Sequence, residues 1–150
     1  MHSPPCPQAD TARVDHPAHT RFVEMVFPDQ ANHYGTLFGG NALSMMGKAA
    51  FVAATRRARS PVVMARSEKT AFHVPVRVGE IVELDAHVTR VGRTSMTVEV
   101  DVTAEALLSG ARRLAVRGSF EMVAVDSAGR PVPVPDNSVH PENTSKEAAQ

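Results

Sequence analysis

The residue types that can do chemistry gather in one stretch of the chain, residues 28–48. A polar turn with Asn32 and His33 runs into the pair Gly39-Gly40, and a segment rich in small and apolar residues follows. The first amide N–H groups of a helix have no partner within that helix and carry the positive end of its dipole. A helix that begins at these glycines therefore predicts a site for an anion or for the polarised carbonyl of an acyl compound.

The helix that would carry this site is predicted over residues 40–58. Its apolar side chains surround most of its girth, so we expect it to be buried on nearly all sides. The core face is predicted to hold Leu43, Met46, Ala50, Ala53 and Ala54. Ser60-Pro61 is expected to end the helix, because the residue before a proline avoids helical geometry.

Strands are predicted around the helix from runs of β-branched residues and from alternating apolar and polar side chains. They are expected at residues 21–27, 62–72, 81–91, 96–104 and 111–125. Such alternation is typical of an antiparallel sheet that is covered on one face. The sequence thus predicts an α+β fold, one long helix on a five-stranded antiparallel sheet in the order β-α-β-β-β-β. Open sheet edges favour pairing with a second copy of the chain.

Composition and charge argue against some classes of binding partner. The chain has 150 residues, 43% of them hydrophobic, and a formal net charge of zero. Without long basic blocks we expect no nucleic-acid partner. We also expect no membrane partner, because no apolar run reaches the roughly 20 residues that span a bilayer. No signal peptide is readable at the start, and a single cysteine, Cys6, fits a reducing compartment, so the predicted location is cytoplasmic.

Both ends of the chain differ in composition from the middle. Residues 1–18 and 127–150 are rich in proline and lack apolar periodicity, so we interpret them as a flexible N-terminal arm and a largely disordered tail. Residues 19–126 form the predicted domain. His16 and His19 are interpreted as non-ligands, and no metal site is predicted.

Three motifs follow one another along the chain. They are Asn32-x-x-Gly35-x-x-x-Gly39-Gly40, Phe72-x-x-Pro75-Val76-x-Val78-Gly79-Glu80 and Val91-Gly92-Arg93-Thr94-Ser95. In this order and at these separations they resemble the hot-dog-fold acyl-CoA thioesterases, in which a sheet wraps a central helix. The resemblance covers roughly residues 20–126 and is strongest to the bacterial hexameric branch that cleaves short- and medium-chain acyl-CoA.

The resemblance implies a chemistry in which water attacks a thioester carbonyl. The amide near Gly40 would polarise the carbonyl oxygen, and Asn32 would position the water or the thioester. In that family a carboxylate seven residues after the second glycine, facing the asparagine of a dimer partner, acts as base or nucleophile. This chain has Gly47 at that position.

Three explanations of Gly47 stay open: it makes room for a bulky acyl group, the activity is lost, or a different carboxylate has taken over. A placed carboxylate contributes about 10²–10⁴-fold in rate. Glu68, in the strand after the helix, is the first substitute, and Asp29, Glu24 and His33 follow.

The resemblance also implies contacts with the coenzyme A part of a substrate. In that family the loop at Arg93, Thr94 and Ser95 touches the pantetheine or the phosphates of CoA, and a guanidinium suits a phosphate. Arg66 and Lys69 are further phosphate candidates. No cofactor is required beyond the CoA carried by the substrate.

Plain structural roles stay open for the same residues. Asn32 can cap its own loop as an Asx turn. Gly39-Gly40 can be a tight turn into the helix, and His33 an ordinary loop residue. Glu68 can be a solvated or paired strand residue, and Arg93 a hairpin charge.

Three functions are compatible with these residues. The first is an acyl-CoA thioester hydrolase that forms a homo-oligomer, either a dimer or a trimer of dimers. The second is a degenerate relative that binds acyl-CoA without cleaving it, which Gly47 motivates. The third is a hot-dog hydratase or dehydratase, for which His33 is the nearest histidine.

Overall fold

The computed structural model describes residues 14–135 as one helix on one sheet. A short 3₁₀ turn, Pro28–Gln30, lies between the first strand and the helix. The order β-α-β-β-β-β predicted from the sequence is confirmed. The elements are β1 His19–Met25, α1 Gly39–Ala58, β2 Val62–Phe72, β3 Ile81–Val91, β4 Ser95–Glu105 and β5 Arg112–Ala124.

All five strands join one antiparallel sheet in the order β1-β3-β4-β5-β2. The chain enters the sheet at one edge, crosses it with α1 and continues at the opposite edge. Every second residue is buried along β4, and along β3 as far as Ala86, so one face of the sheet packs on α1 and the other faces outward. This is the one-sided alternation that the sequence predicts.

A stripe of small residues brings α1 close to the sheet. The buried positions of the helix are Ala42, Met46, Ala49, Ala50, Ala53, Ala54 and Ala58. Leu43, predicted in the core, is instead 39% exposed, and Phe51 is 47% exposed. The buried stripe runs through Ala42 and Ala49, which turns Leu43 toward the rim. The expectation of burial on nearly all sides is therefore wrong for a single chain.

Both ends of α1 have a local cause. The helix begins at Gly39, one residue earlier than predicted, after an extended Phe38. It ends at Arg59, which adopts left-handed geometry (φ 49°) and donates its N–H to the carbonyl of Thr55 at 2.6 Å. Within residues 14–135, no helix combines the length and the apolar character needed to cross a membrane.

The edge strand β2 is irregular and exposed. Its pairing with β5 shifts register twice, and Lys69 within the second shift has a positive φ of 49°. Three large apolar residues of this strand, Val63, Met64 and Phe72, are 43–54% exposed.

The described parts of the two predicted terminal segments contact the domain. The carbonyl of Ala18 accepts a hydrogen bond from Val88, and that of Asp15 accepts one from the Arg59 side chain. After β5, Val132 donates to Ala124, and Val134 is buried and donates to the carbonyl of Arg93 at 2.8 Å. The division into arm, domain and tail stays a prediction, and residues 1–13 and 136–150 lie outside the described residues.

Candidate functional site

The loop before α1 is held by the side chain of Asn32. Its Oδ1 accepts hydrogen bonds from the N–H groups of Tyr34 (3.0 Å) and Thr36 (3.3 Å) and from the Thr36 hydroxyl (3.1 Å). Asn32 therefore caps its own loop, as the structural alternative predicts. Among residues 14–135 its Nδ2 group has no acceptor, so the half-buried amide retains two N–H donors for another molecule.

The start of α1 is fixed from outside the helix. The carbonyl of Gln30 accepts hydrogen bonds from the Phe38 N–H and the Asn41 side chain, both at 2.9 Å. No side chain caps the helix, its first turn contains no acidic residue, and within the described chain the N–H groups of Gly39 and Gly40 have no acceptor. These two amides can polarise a carbonyl oxygen.

Glycine at position 40 leaves room for an aromatic ring. A Cβ atom there would lie 2.7 Å from Cε1 of Phe38, closer than side chains approach one another. Gly39 lines a cavity of about 290 Å³, together with the motif after β2. Its other lining residues are Leu37, Ala42, Phe72, His73, Val74, Pro75, Val76 and Val116.

A larger cavity of about 660 Å³ lies along the middle of α1. Gly47, Lys48 and Ser44 contribute from the helix, and Glu24 and Gln30 contribute polar groups from β1 and the following turn. The remainder of its lining is largely apolar and includes Phe22, Met45, Phe51, Val52, Met64, Leu84 and Met122. We call it the Gly47 cavity.

Two contacts define the Gly47 cavity chemically. A Cβ atom on Gly47 would lie 3.3 Å from Cε of Met64 on β2, so the methionine occupies the space beside the glycine. Glu24, on β1, is exposed, and across residues 14–135 its carboxylate takes part in no hydrogen bond or ion pair. It is the one carboxylate among the residues that line this cavity.

Comparison with known proteins identifies the family. A model of the thioesterase superfamily matches residues 34–111, more than half of the chain. The chain belongs to the thioesterase superfamily. The hot-dog fold that the three motifs imply is thereby confirmed, as is their resemblance to acyl-CoA thioesterases.

Similar proteins carry related names. An uncharacterized acyl-CoA thioester hydrolase, YkhA of Bacillus subtilis, is 41% identical over 110 residues, 73% of this chain and 64% of that protein. The acyl-CoA thioester hydrolase YciA of Salmonella typhimurium is 33% identical over 114 residues, 74% of this chain and 86% of that protein. Thioester hydrolysis is thus the chemistry of the chain's relatives.

Solved structures similar to this chain are also named as acyl-CoA hydrolases or thioesterases. An acyl-CoA hydrolase from Bacillus cereus is 38% identical, with a TM-score of 0.76 over 79% of this chain and 72% of the other. A hexameric acyl-CoA thioesterase is 41% identical, with a TM-score of 0.77 over 79% and 76% of the two chains. An acyl-CoA hydrolase from Staphylococcus aureus, 30% identical with a TM-score of 0.75 over 79% and 72%, was solved with butyryl coenzyme A and coenzyme A.

Within one chain of this thioesterase-family protein, two predicted catalytic residues lie away from the Gly47 cavity. Glu68 on β2 is paired with Arg66, Oε1 to Nε at 2.9 Å, and lines neither cavity. His33 is exposed on the loop and packs its ring against Tyr34 at 3.9 Å. The structure brings Asn32 and Gly40 to the two ends of one loop and leaves Glu68 on the exposed edge strand.

The predicted CoA-binding residues fall in two places. Arg93 and Thr94 lie in the connection between β3 and β4, and Ser95 is the first residue of β4. The side chain of Arg93 has no partner within residues 14–135. Arg66 is committed to Glu68, whereas Lys69 lies in the irregular part of β2.

An ion pair that supports the start of α1 is not predicted from the sequence. Glu80 is 9% exposed and accepts two hydrogen bonds from Arg113, at 2.6 and 2.7 Å, and one from the N–H of Arg77. The Arg113 guanidinium holds the pKa of the Glu80 carboxyl below its ordinary value, even though burial opposes this. This pair fixes the turn at residues 74–80, whose carbonyl at Val76 accepts the N–H of Leu37 just before α1.

Proposed function

We propose that this chain hydrolyses acyl-CoA thioesters and that the uncapped start of α1 is where the carbonyl binds. The observation that carries the proposal is the pair of free amides at Gly39 and Gly40 at the end of a loop held by Asn32, in a member of the thioesterase superfamily. Their N–H groups would stabilise negative charge on the carbonyl oxygen as water adds to the carbonyl carbon.

The reaction balances with water as the only second reactant. The water oxygen bonds to the acyl carbon while a carboxylate accepts one of its protons. The carbon–sulfur bond then breaks, and the CoA thiolate leaves and takes up that proton. The Nδ2 group of Asn32 can donate to the attacking water or to the thioester, because its Oδ1 is already occupied by the loop.

The carboxylate of this mechanism differs in position from that of a characterised relative. In the Staphylococcus aureus enzyme, alanine variants were solved for an asparagine, for an aspartate fifteen residues later and for a threonine seventeen residues after that. The same spacing leads in this chain from Asn32 to Gly47 and on to Met64. The asparagine is kept, while the acid and the hydroxyl are replaced by two apolar residues that adjoin each other.

We assign the carboxylate role to Glu24. It lines the same cavity as Gly47 and Lys48, and within residues 14–135 it forms no ion pair. Glu68, the first substitute expected from the sequence, is held by Arg66 in a single chain. Because Glu24 lines the Gly47 cavity, its carboxylate can accept a proton from a water bound there.

We also propose where CoA and a second copy of the chain bind. Arg93 is exposed and unpaired within the described chain, and it suits a phosphate of CoA, with Thr94, Ser95 and Lys69 as further contacts. The exposed apolar residues of β2, with Phe51 on α1, support a homodimer or a trimer of dimers.

We propose that the protein is located in the cytoplasm. A human relative, named cytosolic acyl coenzyme A thioester hydrolase, supports this. It is 32% identical over 117 residues, 74% of this chain and 28% of that protein.

The direct test is a panel of acyl-CoAs from short to long chains, with the released thiol measured over time. We expect turnover of at least one chain length, and its loss in Asn32→Ala. Rates equal to those in buffer for every chain length would overturn the proposal.

One observation favours a second function, acyl-CoA binding without cleavage. Gly47 and Met64 stand where the characterised relative has an acid and a hydroxyl. Calorimetry with acyl-CoA would then show binding without thiol release, and the double variant Gly47→Asp/Met64→Thr would switch on cleavage. Threonine is included because the Met64 side chain crowds a Cβ at position 47. Turnover by the unaltered chain excludes this function.

A further inference from the structure

We propose that His19, Asp85 and His87 form a binding site for a borderline divalent cation such as Zn²⁺, on the face of the sheet opposite α1. The sequence predicts that His16 and His19 are non-ligands and predicts no metal site, but the structure places His19 at the first position of β1, beside β3. The site depends on strand pairing, which the sequence alone does not give.

The two histidines face each other across neighbouring strands. His19 on β1 is the register partner of His87 on β3. The preceding pair, Ala18 and Val88, is hydrogen-bonded, so this pair is of the non-hydrogen-bonded kind, in which side chains approach most closely. The imidazole rings are stacked, with centroids 4.2 Å apart and planes within 7° of parallel. Nε2 of each ring lies near the same carboxylate oxygen, Oδ1 of Asp85.

Asp85 completes the group from the same face. It lies two residues before His87 on β3, so both side chains leave the sheet on the same side. Its Oδ1 is 3.7 Å from Nε2 of His87 and contacts Nε2 of His19 directly. One ligand atom from each residue lies within 4.8 Å of the other two. Around one Zn²⁺ each of these atoms would lie at the roughly 2.0–2.2 Å that the ion prefers for nitrogen and oxygen.

The charges nearby favour a cation. Glu99 on β4 is the register partner of His87 and adds negative charge to this face of the sheet, although Arg117 is also near it. Asp101 lies opposite Asp85 and is paired with Arg117. One competing cation is present: Arg21 approaches Asp85 at 3.8 Å, but its shorter contact, 2.9 Å, is with Glu83. Asp85 is therefore free to bind a metal without breaking the stronger ion pair.

The ligand set selects the metal. Two imidazoles and a carboxylate suit Zn²⁺, Ni²⁺, Co²⁺ or Cu²⁺, and they disfavour Ca²⁺ and Mg²⁺, which take oxygen ligands. A bound ion would tie the edge strand β1 to β3. Because Glu24 also lies on β1, the ion would stiffen the strand that carries one wall of the Gly47 cavity. The site lies on the opposite face of the sheet, so it does not depend on the proposed hydrolysis.

The test is calorimetric titration of the chelator-treated full chain with Zn²⁺ at pH 7.5, compared with His19→Ala, His87→Ala and Asp85→Asn. We expect one ion for each chain, an affinity reduced at least tenfold in each histidine variant, and weaker binding in acid, because protons compete with the metal for the imidazole nitrogens. Mg²⁺ in place of Zn²⁺ should give no heat of binding.

His73→Ala is the matched control, since it removes an imidazole elsewhere on the domain and should leave the titration unchanged. Circular dichroism of each variant verifies the fold, and Asp85→Asn preserves the shape of its side chain if a histidine variant fails to fold. The proposal is overturned if Zn²⁺ does not bind. It is equally overturned if binding survives in His19→Ala and His87→Ala, which would place the ion on His2, Cys6 or His140 instead.

Discussion

The start of α1 and the middle of α1 are built in opposite ways. At the start, residues close in sequence make the site: Asn32 binds its own loop, and Gln30 holds the first turn of the helix. At the middle, the Gly47 cavity is assembled from β1, α1, β2, β3 and β5, and its neighbours come from distant parts of the chain. The group that polarises a carbonyl is thus local and intact, whereas the group that moves a proton depends on the tertiary fold.

The largest expected effect comes from the cavity. Glu24→Gln removes a carboxylate while keeping its size, so kcat for the best acyl-CoA should fall by about 10²–10⁴-fold. Glu68→Gln is the matched control and should change the rate little, because Glu68 is paired with Arg66. If Glu68→Gln abolishes turnover and Glu24→Gln does not, the assignment is reversed, and a second copy must bring Glu68 to the site.

Asn32→Asp tests the helix start alone. Aspartate retains the oxygen that accepts the three loop hydrogen bonds and loses the Nδ2 donors. Thermal stability should stay near that of the unaltered chain, while kcat falls by about 10²–10³-fold, as for the loss of one oxyanion-type donor. Equal rates in the two proteins would mean that Asn32 serves only the loop.

The support beneath the helix start can be weakened by pH. Because Arg113 lowers the pKa of Glu80 in the folded state, the pair stabilises the fold above the ordinary carboxyl pKa of about 4.3, and this contribution is lost as pH falls through the lower folded value. Glu80→Gln should reduce the free energy of unfolding at pH 7 by about 2 kcal/mol.

Chemical denaturation from pH 7 down to pH 3 measures both effects of that substitution. The difference between Glu80→Gln and the unaltered chain should shrink toward low pH. A difference that stays constant would show that the carboxylate charge is not what stabilises the turn.

The smallest effect is expected at the loop between β3 and β4. Arg93→Ala should raise KM for acyl-CoA about tenfold and leave kcat nearly unchanged, because a phosphate contact is made equally in the ground and transition states. Arg90→Ala removes a similar exposed charge three residues earlier and should leave KM unaltered. A lower KM for acyl-pantetheine than for acyl-CoA in the unaltered chain would argue against a phosphate contact.

The sequence predicts the fold well because its signals are local. Alternation in β3 and β4 gives both strands to within a residue, and the glycine pair places the helix start one residue from Gly39. Leu43 was misplaced because alanine contributes little to an apolar pattern, although Ala42 and Ala49 decide which face packs on the sheet.

Only part of the candidate site can be predicted from the sequence, because only part of it is formed by residues close together in the chain. Asn32 and the glycine pair can be recognised from their spacing along the chain. Glu24, Met64 and Gly47 meet only after β1 and β2 have taken opposite edges of the sheet, so no spacing in the sequence marks them as neighbours.

The segment after β5 has a practical consequence for anyone shortening this protein. The proline content of this segment suggests that the chain could be cut at residue 126 without harm. The cut would remove the N–H groups of Val132 and Val134, which donate hydrogen bonds to the carbonyls of Ala124 and Arg93. It also strips one valine side chain from the interior. A truncated protein would therefore melt earlier, and the backbone beneath Arg93 would lose an anchor, so apparent defects in ligand affinity could arise from the cut alone.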